Sequence, residues 1–171
     1  MLTATLAPQA TTLIPELTAE AALTRRVLER APEASFGWQP HPKSMTLGHL
    51  AAHISSLLNG IGTALQTYEI DLISRHARFV PATSTAALLQ EFDANTAATL
   101  TALAETDDET FAGTWTLRRG DHIIRQQPRA DMVRHLISHM AHHRGQLSVY
   151  LRLLDVPVPS IYGPTADEPQ G

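Results

Sequence analysis

Apolar residues recur at three- and four-residue spacing along four stretches of the chain, the pattern of helices that each bury one face. The first stretch covers residues 11–30, with Leu13, Leu17, Leu23, Val27 and Leu28 on one side and Pro32 as its stop. The second opens after Ser44, a suitable N-cap, and runs to residue 68 with Leu47, Leu50, Ile54, Leu57, Leu58, Ile61 and Leu65 as its stripe. Thr83 or Ser84 can cap the third, which reaches residue 104 and carries Leu88, Leu89, Phe92, Leu100 and Leu103. The last starts within residues 128–131 and continues to Leu154, ahead of Pro157 and Pro159.

The connections differ in texture. Residues 33–43 read as a loop holding Phe36, Trp38, Pro40 and Pro42. Residues 69–75 read as a helix continued or restarted, broken at Pro81. Trp115-Thr-Leu and His122-Ile-Ile flank Arg119-Gly120-Asp121, two short β-prone runs about a Gly-Asp turn, which predicts a β-hairpin. Residues 160–171 form a polar, proline-bearing tail. The expected fold class is all-α: one helical-bundle domain over residues 1–171, four helices with a small hairpin before the last. The two long connections permit an order other than simple up-down-up-down.

Charge and composition narrow the function classes. A net charge of -4 offers no basic footprint for nucleic acid. No apolar run approaches the roughly 18 residues of a membrane span, and residues 1–10 lack the basic start and apolar stretch of a signal peptide. The expected location is the cytoplasm. Cysteine is absent, so a metal must be held by His, Asp or Glu, and any thiol chemistry brings its thiol in with a substrate.

Histidine changes the picture most. There are 9, five of them between His122 and His143. Residues four apart share a helix face, so His135, His139 and His143 on the last helix and His49 and His53 on the second are the pairs to weigh. The stripe of Met132, Leu136, Met140, Leu147, Tyr150, Leu151 and Leu154 sets the inward direction of the last helix. At 100° per residue His143 falls roughly 40° from its centre and His139 roughly 80°, while His135 and His142 fall roughly 120° and 140° away, on the wet side. On the second helix His53 lies roughly 90° from the stripe and His49 roughly 130°. The inward set is therefore His53, His139 and His143. Three imidazoles around one ion leave a coordination position open, as catalytic sites do. A histidine pair at this spacing is by itself more often incidental than ligating, and the missing Glu of a His-Glu-x-x-His pattern argues against a zincin protease.

The segment His139-Met-Ala-His-His-Arg-Gly-Gln146, continuing Leu-Ser-Val-Tyr-Leu-Arg-Leu-Leu, closely resembles the last-helix signature of the DinB family. In that family His-x-x-x-His-Arg-Gly-Gln carries two metal ligands, here His139 and His143. Lys43-Ser-Met-Thr-Leu-Gly-His-Leu-Ala-Ala-His53 is similar to the family's earlier motif, whose final histidine is the third ligand. The tail from Asp155 and the expected hairpin fit as well, so the resemblance covers nearly the whole chain. It implies an up-down-down-up four-helix bundle, a homodimer, and one divalent metal ion, usually zinc or nickel. It implies no particular reaction. Relatives in the wider superfamily include metal-dependent transferases and isomerases that use low-molecular-weight thiols.

Neighbouring residues carry lesser expectations. Gly145 inside a helix costs up to about 1 kcal/mol against Ala, which suggests close helix packing there. Arg144 suits a salt bridge to a neighbouring helix or an anchor for a substrate carboxylate, and Gln146 suits the orienting of a ligand histidine. Trp38, Trp115 and Tyr162 can pack in the core and loops or line a pocket mouth. No protein base, Ser-His-Asp pattern or phosphate loop is visible, so the catalytic residues stay unassigned. Two functions remain open: a metal-dependent transferase or hydrolase acting on a small molecule, and a non-catalytic metal-binding stress-response protein.

Overall fold

The computed structural model describes residues 6–74 and 82–169. His76 and the break expected at Pro81 lie outside the described residues. The element order is α1 (Pro8–Leu28), a short 3-10 turn (Glu33–Ser35), α2 (Leu47–Gln66), β1 (Glu69–Asp71), α3 (Thr85–Glu105), α4 (Asp108–Ala112), β2 (Thr114–Arg119), β3 (His122–Pro128) and α5 (Arg129–Leu153). The protein is mostly helical, and the expected hairpin is part of a three-stranded sheet.

Local chemistry explains where most helices begin. Pro8 opens α1 in the first turn, where its missing N–H costs nothing. Thr46, not the expected Ser44, caps α2 by accepting the His49 N–H at 3.2 Å. Ser84 caps α3 through the Ala87 N–H at 3.0 Å, and Asp107 caps α4 through the Thr110 N–H at 2.7 Å. The full expected stripe of α2, from Leu47 to Leu65, is buried. On α1 the buried side is Leu13, Leu17, Val27 and Leu28, with Leu23 only half-buried.

Residues 69–71 are a strand rather than helix. β1 lies parallel to β2, with Glu69, Ile70 and Asp71 opposite Thr116, Leu117 and Arg118. β2 and β3 pair antiparallel around a turn in which Gly120 adopts a left-handed φ of 58°, a conformation glycine takes without a Cβ clash. Asp71 clamps this corner: its carboxylate accepts the Gly120 N–H at 3.0 Å and a guanidinium N–H of Arg118 at 2.8 Å.

The main core joins all four long helices, with α2 against α3 and α5, and α1 against α3 and α5. A smaller cluster of Ala64, Trp115 and Met132 ties the sheet to α2 and α5. Arg129 completes that junction. It is 5% exposed, and its guanidinium donates to the carbonyls of Ala64 and Thr67. A cation there satisfies the free carbonyls at the C-terminus of α2.

The tail packs too. Arg152 pairs with Asp167, and Arg26 and Arg30 pair with Glu168. Asp167 and Glu168 also accept the N–H groups of Val158 and Ser160.

Candidate metal centre

Helices α2 and α5 bring His53, His139 and His143 together. Gly60 lies on the α2 face turned to α5, where a Cβ would meet Leu136 at 3.5 Å, an ordinary packing distance. The ring of His53 lies 4.7 Å from that of His143 and 5.6 Å from that of His139 by centroid, and His139 and His143 are 4.5 Å apart. One ligand nitrogen of each falls within 4.8 Å of the others. Two donors about 2.1 Å from one ion can be no more than about 4.2 Å apart, so a pair near that bound needs only a small ring movement. His143 is buried and the other two are half-buried.

Hydrogen bonding prepares the donor set. His143 Nδ1 lies 2.7 Å from Oε1 of Gln146. A carbonyl oxygen only accepts, so Nδ1 carries the proton and the Nε2 lone pair of a neutral ring is left free. That Nε2 faces Nε2 of His139 at 2.8 Å. In the neutral pair only one proton can lie between them, whereas a cation can accept both lone pairs.

Electrostatics favour the neutral form of His53 and His139. Burial, followed by the neighbouring His143 and His53, pushes His139 down to about 4. Burial first, then His143 and His49, lowers His53. No ion pair among the described residues involves His53 or His139, so no carboxylate there favours their imidazolium form. Neutral imidazole is the form a metal binds, and the set fits a divalent transition ion.

His53 and His139 also line a cavity of about 810 Å³, within the size range of small-molecule sites. It lies between α2, α5, the sheet and the start of α3, and Leu57, Ile70, Trp115, Leu117, Met132 and Leu136 give it apolar walls. The Nε1–H of Trp115 donates to Thr67 Oγ1 at 3.1 Å.

The chain belongs to the DinB family. The family model matches residues 1–170. YrdA of Bacillus subtilis (strain 168), described as an uncharacterized protein, is 27% identical over 150 residues, spanning 87% of this chain and 85% of its own length. Among solved structures, a DinB-like protein from Bacillus cereus ATCC 10987 superposes with a TM-score of 0.69 at 24% identity, over 88% of this chain and 95% of the other. The DinB-like protein YjoA of Bacillus subtilis gives 0.69 at 14% identity, over 92% and 99%. At those identities the solved structures show a shared fold.

Other residues of this DinB protein fall less uniformly with expectation. His49 and His142 are exposed, but His135 is half-buried and lines the cavity, one turn before His139. The wheel missed it because the wall it faces belongs to the sheet rather than to the helical core. Arg144 takes the salt-bridge role. It is 3% exposed and donates to Glu20 of α1 at 2.7 Å, to Thr24 at 3.2 Å and to the Tyr162 hydroxyl. Tyr162 donates in turn to Glu20, so it closes this cluster rather than a pocket mouth. Trp38 packs edge-on against Tyr150, with centroids 5.5 Å apart. Gly145 is a correction: a Cβ there would meet nothing within 4 Å, so no close packing explains it. Glu91 and Arg125 line the cavity and carried no signal in the sequence, where each reads as a solvated charge.

Proposed function

We propose that this DinB protein is a metal-dependent enzyme acting on a small molecule, built on an up-down-down-up four-helix bundle, with one divalent ion, zinc or nickel, held by His53, His139 and His143. The observation that carries the reading is that two of the three imidazoles border a cavity large enough for a substrate. A site serving only stability is closed by its protein ligands, whereas this one supplies three donors beside an open chamber. An ion bound there supplies Lewis acidity and lowers the pKa of a water or thiol, the chemistry of a thiol transferase or a hydrolase. Gln146 holds His143 in the tautomer that exposes Nε2. The apolar walls suit the apolar body of a substrate, and Trp115 and Leu136 set the shape available to it. Since the chain has no cysteine, the thiol in a transfer reaction is a low-molecular-weight co-substrate. The functional unit is proposed to be a homodimer, which sedimentation tests: a monomer mass at all concentrations overturns it.

The experiment is elemental analysis of the purified protein and of the His53→Ala, His139→Ala and His143→Ala variants, followed by a screen of thiol–electrophile pairs and small esters. Each variant is expected to lose metal and turnover together. Full metal occupancy in all three variants overturns the site. Stoichiometric metal with no turnover of any pair favours a non-catalytic metal-binding protein instead.

A further inference from the structure

The cavity beside the histidines carries two formal charges among the described residues, Arg125 on β3 and Glu91 on α3. The mechanism above uses neither. Arg125 has no ion pair with any described carboxylate; among the described residues its one side-chain hydrogen bond runs to the neutral Oε1 of Gln127, at 3.4 Å. Gln127 is itself held against the cavity wall, its amide donating to the Met132 sulfur at 4.0 Å. A planar guanidinium steadied at the rim of an apolar chamber, with most of its five donors free, matches a carboxylate by two parallel hydrogen bonds. Glu91 repels an anion from its own part of the wall, so a carboxylate entering the chamber has one favourable end. Arg125 and His135 line the same cavity, and His135 is one helical turn, about 5.4 Å, before His139. Arg125, His53 and His139 thus line one chamber.

We infer that the cavity selects a small monocarboxylic acid with an apolar body, its carboxylate on Arg125 and its far end toward His53 and His139. Glu91 makes a second carboxylate unfavourable. This deepens the enzymatic reading of the same site and rests on it, but the test reads binding rather than turnover.

The test compares 4-phenylbutyrate with its uncharged amide, 4-phenylbutanamide, by calorimetric titration of the purified protein and of the Arg125→Gln and His139→Ala variants. The acid is expected to bind at least about tenfold tighter than the amide, the advantage of a charge-assisted contact. Arg125→Gln, at an exposed position, is expected to erase that preference while leaving amide binding within about twofold. His139→Ala is expected to keep it. Equal binding of acid and amide, binding of neither, or a preference that survives Arg125→Gln overturns the inference. A preference lost in His139→Ala and kept in Arg125→Gln also overturns it, because the acid then sits on the histidine site. Metal content of the same samples separates this failure from failure of the metal site itself.

Discussion

Oε1 of Gln146 sits 2.7 Å from Nδ1 of His143, one turn further along α5. The contact orients the His143 ring through Nδ1 and leaves Nε2, the proposed metal-binding atom, untouched. Removing such a partner lets the ring turn and lowers its basicity, and typically costs 10- to 100-fold in metal affinity. Gln146→Ala is therefore expected to weaken zinc or nickel binding by roughly that factor, while the melting temperature of the metal-stripped protein stays within about a degree, because Gln146 is exposed. Competition with a calibrated chelator measures the first and calorimetry the second. Unchanged affinity would mean that His143 is held by packing alone.

Arg144 and Glu20 form a nearly buried ion pair, with side chains 3% and 17% exposed. Breaking such a pair from one side leaves an uncompensated charge, which costs more than the pair contributes when intact. Glu20→Ala is expected to destabilise the protein by about 3 kcal/mol in urea denaturation, and Tyr162→Phe by about 1 kcal/mol, the worth of a hydrogen bond. Adding Arg144→Ala to Glu20→Ala should restore part of the loss. Strict additivity of the two single losses would show that the residues do not interact.

How far these features were legible in the chain depends on how local their causes are. The stripe of α2 could be read in full because helical periodicity is a property of neighbours, and the same periodicity chose His139 and His143 over His142. The strand β1 was not legible: its partner β2 lies more than 40 residues on, and three residues have no period of their own. The partner of Arg144 is 124 residues away, so only the need for an anion could be foreseen. Ser44 and Thr46 are both acceptable caps, and the choice is made by the Leu47 and Gly48 N–H groups, which bond to the carbonyls of Trp38 and Phe36 in the preceding loop. The cavity was hidden for a related reason, since its walls come from separate elements and its charged residues look like ordinary surface.

The open surroundings of Gly145 turn a failed expectation into a measurable one. A helix-interior glycine with nothing near its would-be Cβ gives up backbone entropy with no packing return. Gly145→Ala is expected to stabilise the monomeric fold by up to about 1 kcal/mol, a rise of about 2–4 °C in melting temperature for a domain of this size. If the variant is instead less stable at concentrations where the protein self-associates, and more stable on dilution, then the face around Gly145 is covered by a second copy. A loss of stability at every concentration would contradict the reading of an open face.

Acid should loosen the corner held by Asp71. The N–H groups of Ile73 and Gly120, and then the Arg118 guanidinium, keep its carboxyl below the usual carboxylate range. A carboxyl depressed in the folded state contributes stability that is fully present above its unfolded pKa, near 3.9, and lost as pH falls through the folded value. The sheet corner is thus expected to hold unchanged from neutral pH down to about 4 and to loosen below it. Amide exchange at Gly120 followed from pH 6 to pH 2.5, corrected for intrinsic rates, reads the corner directly. Asp71→Asn is expected to exchange faster already at pH 6 and to show little further change in acid. A wild-type corner that stays protected through pH 2.5 would assign the clamp to the sheet pairing instead of to the carboxylate.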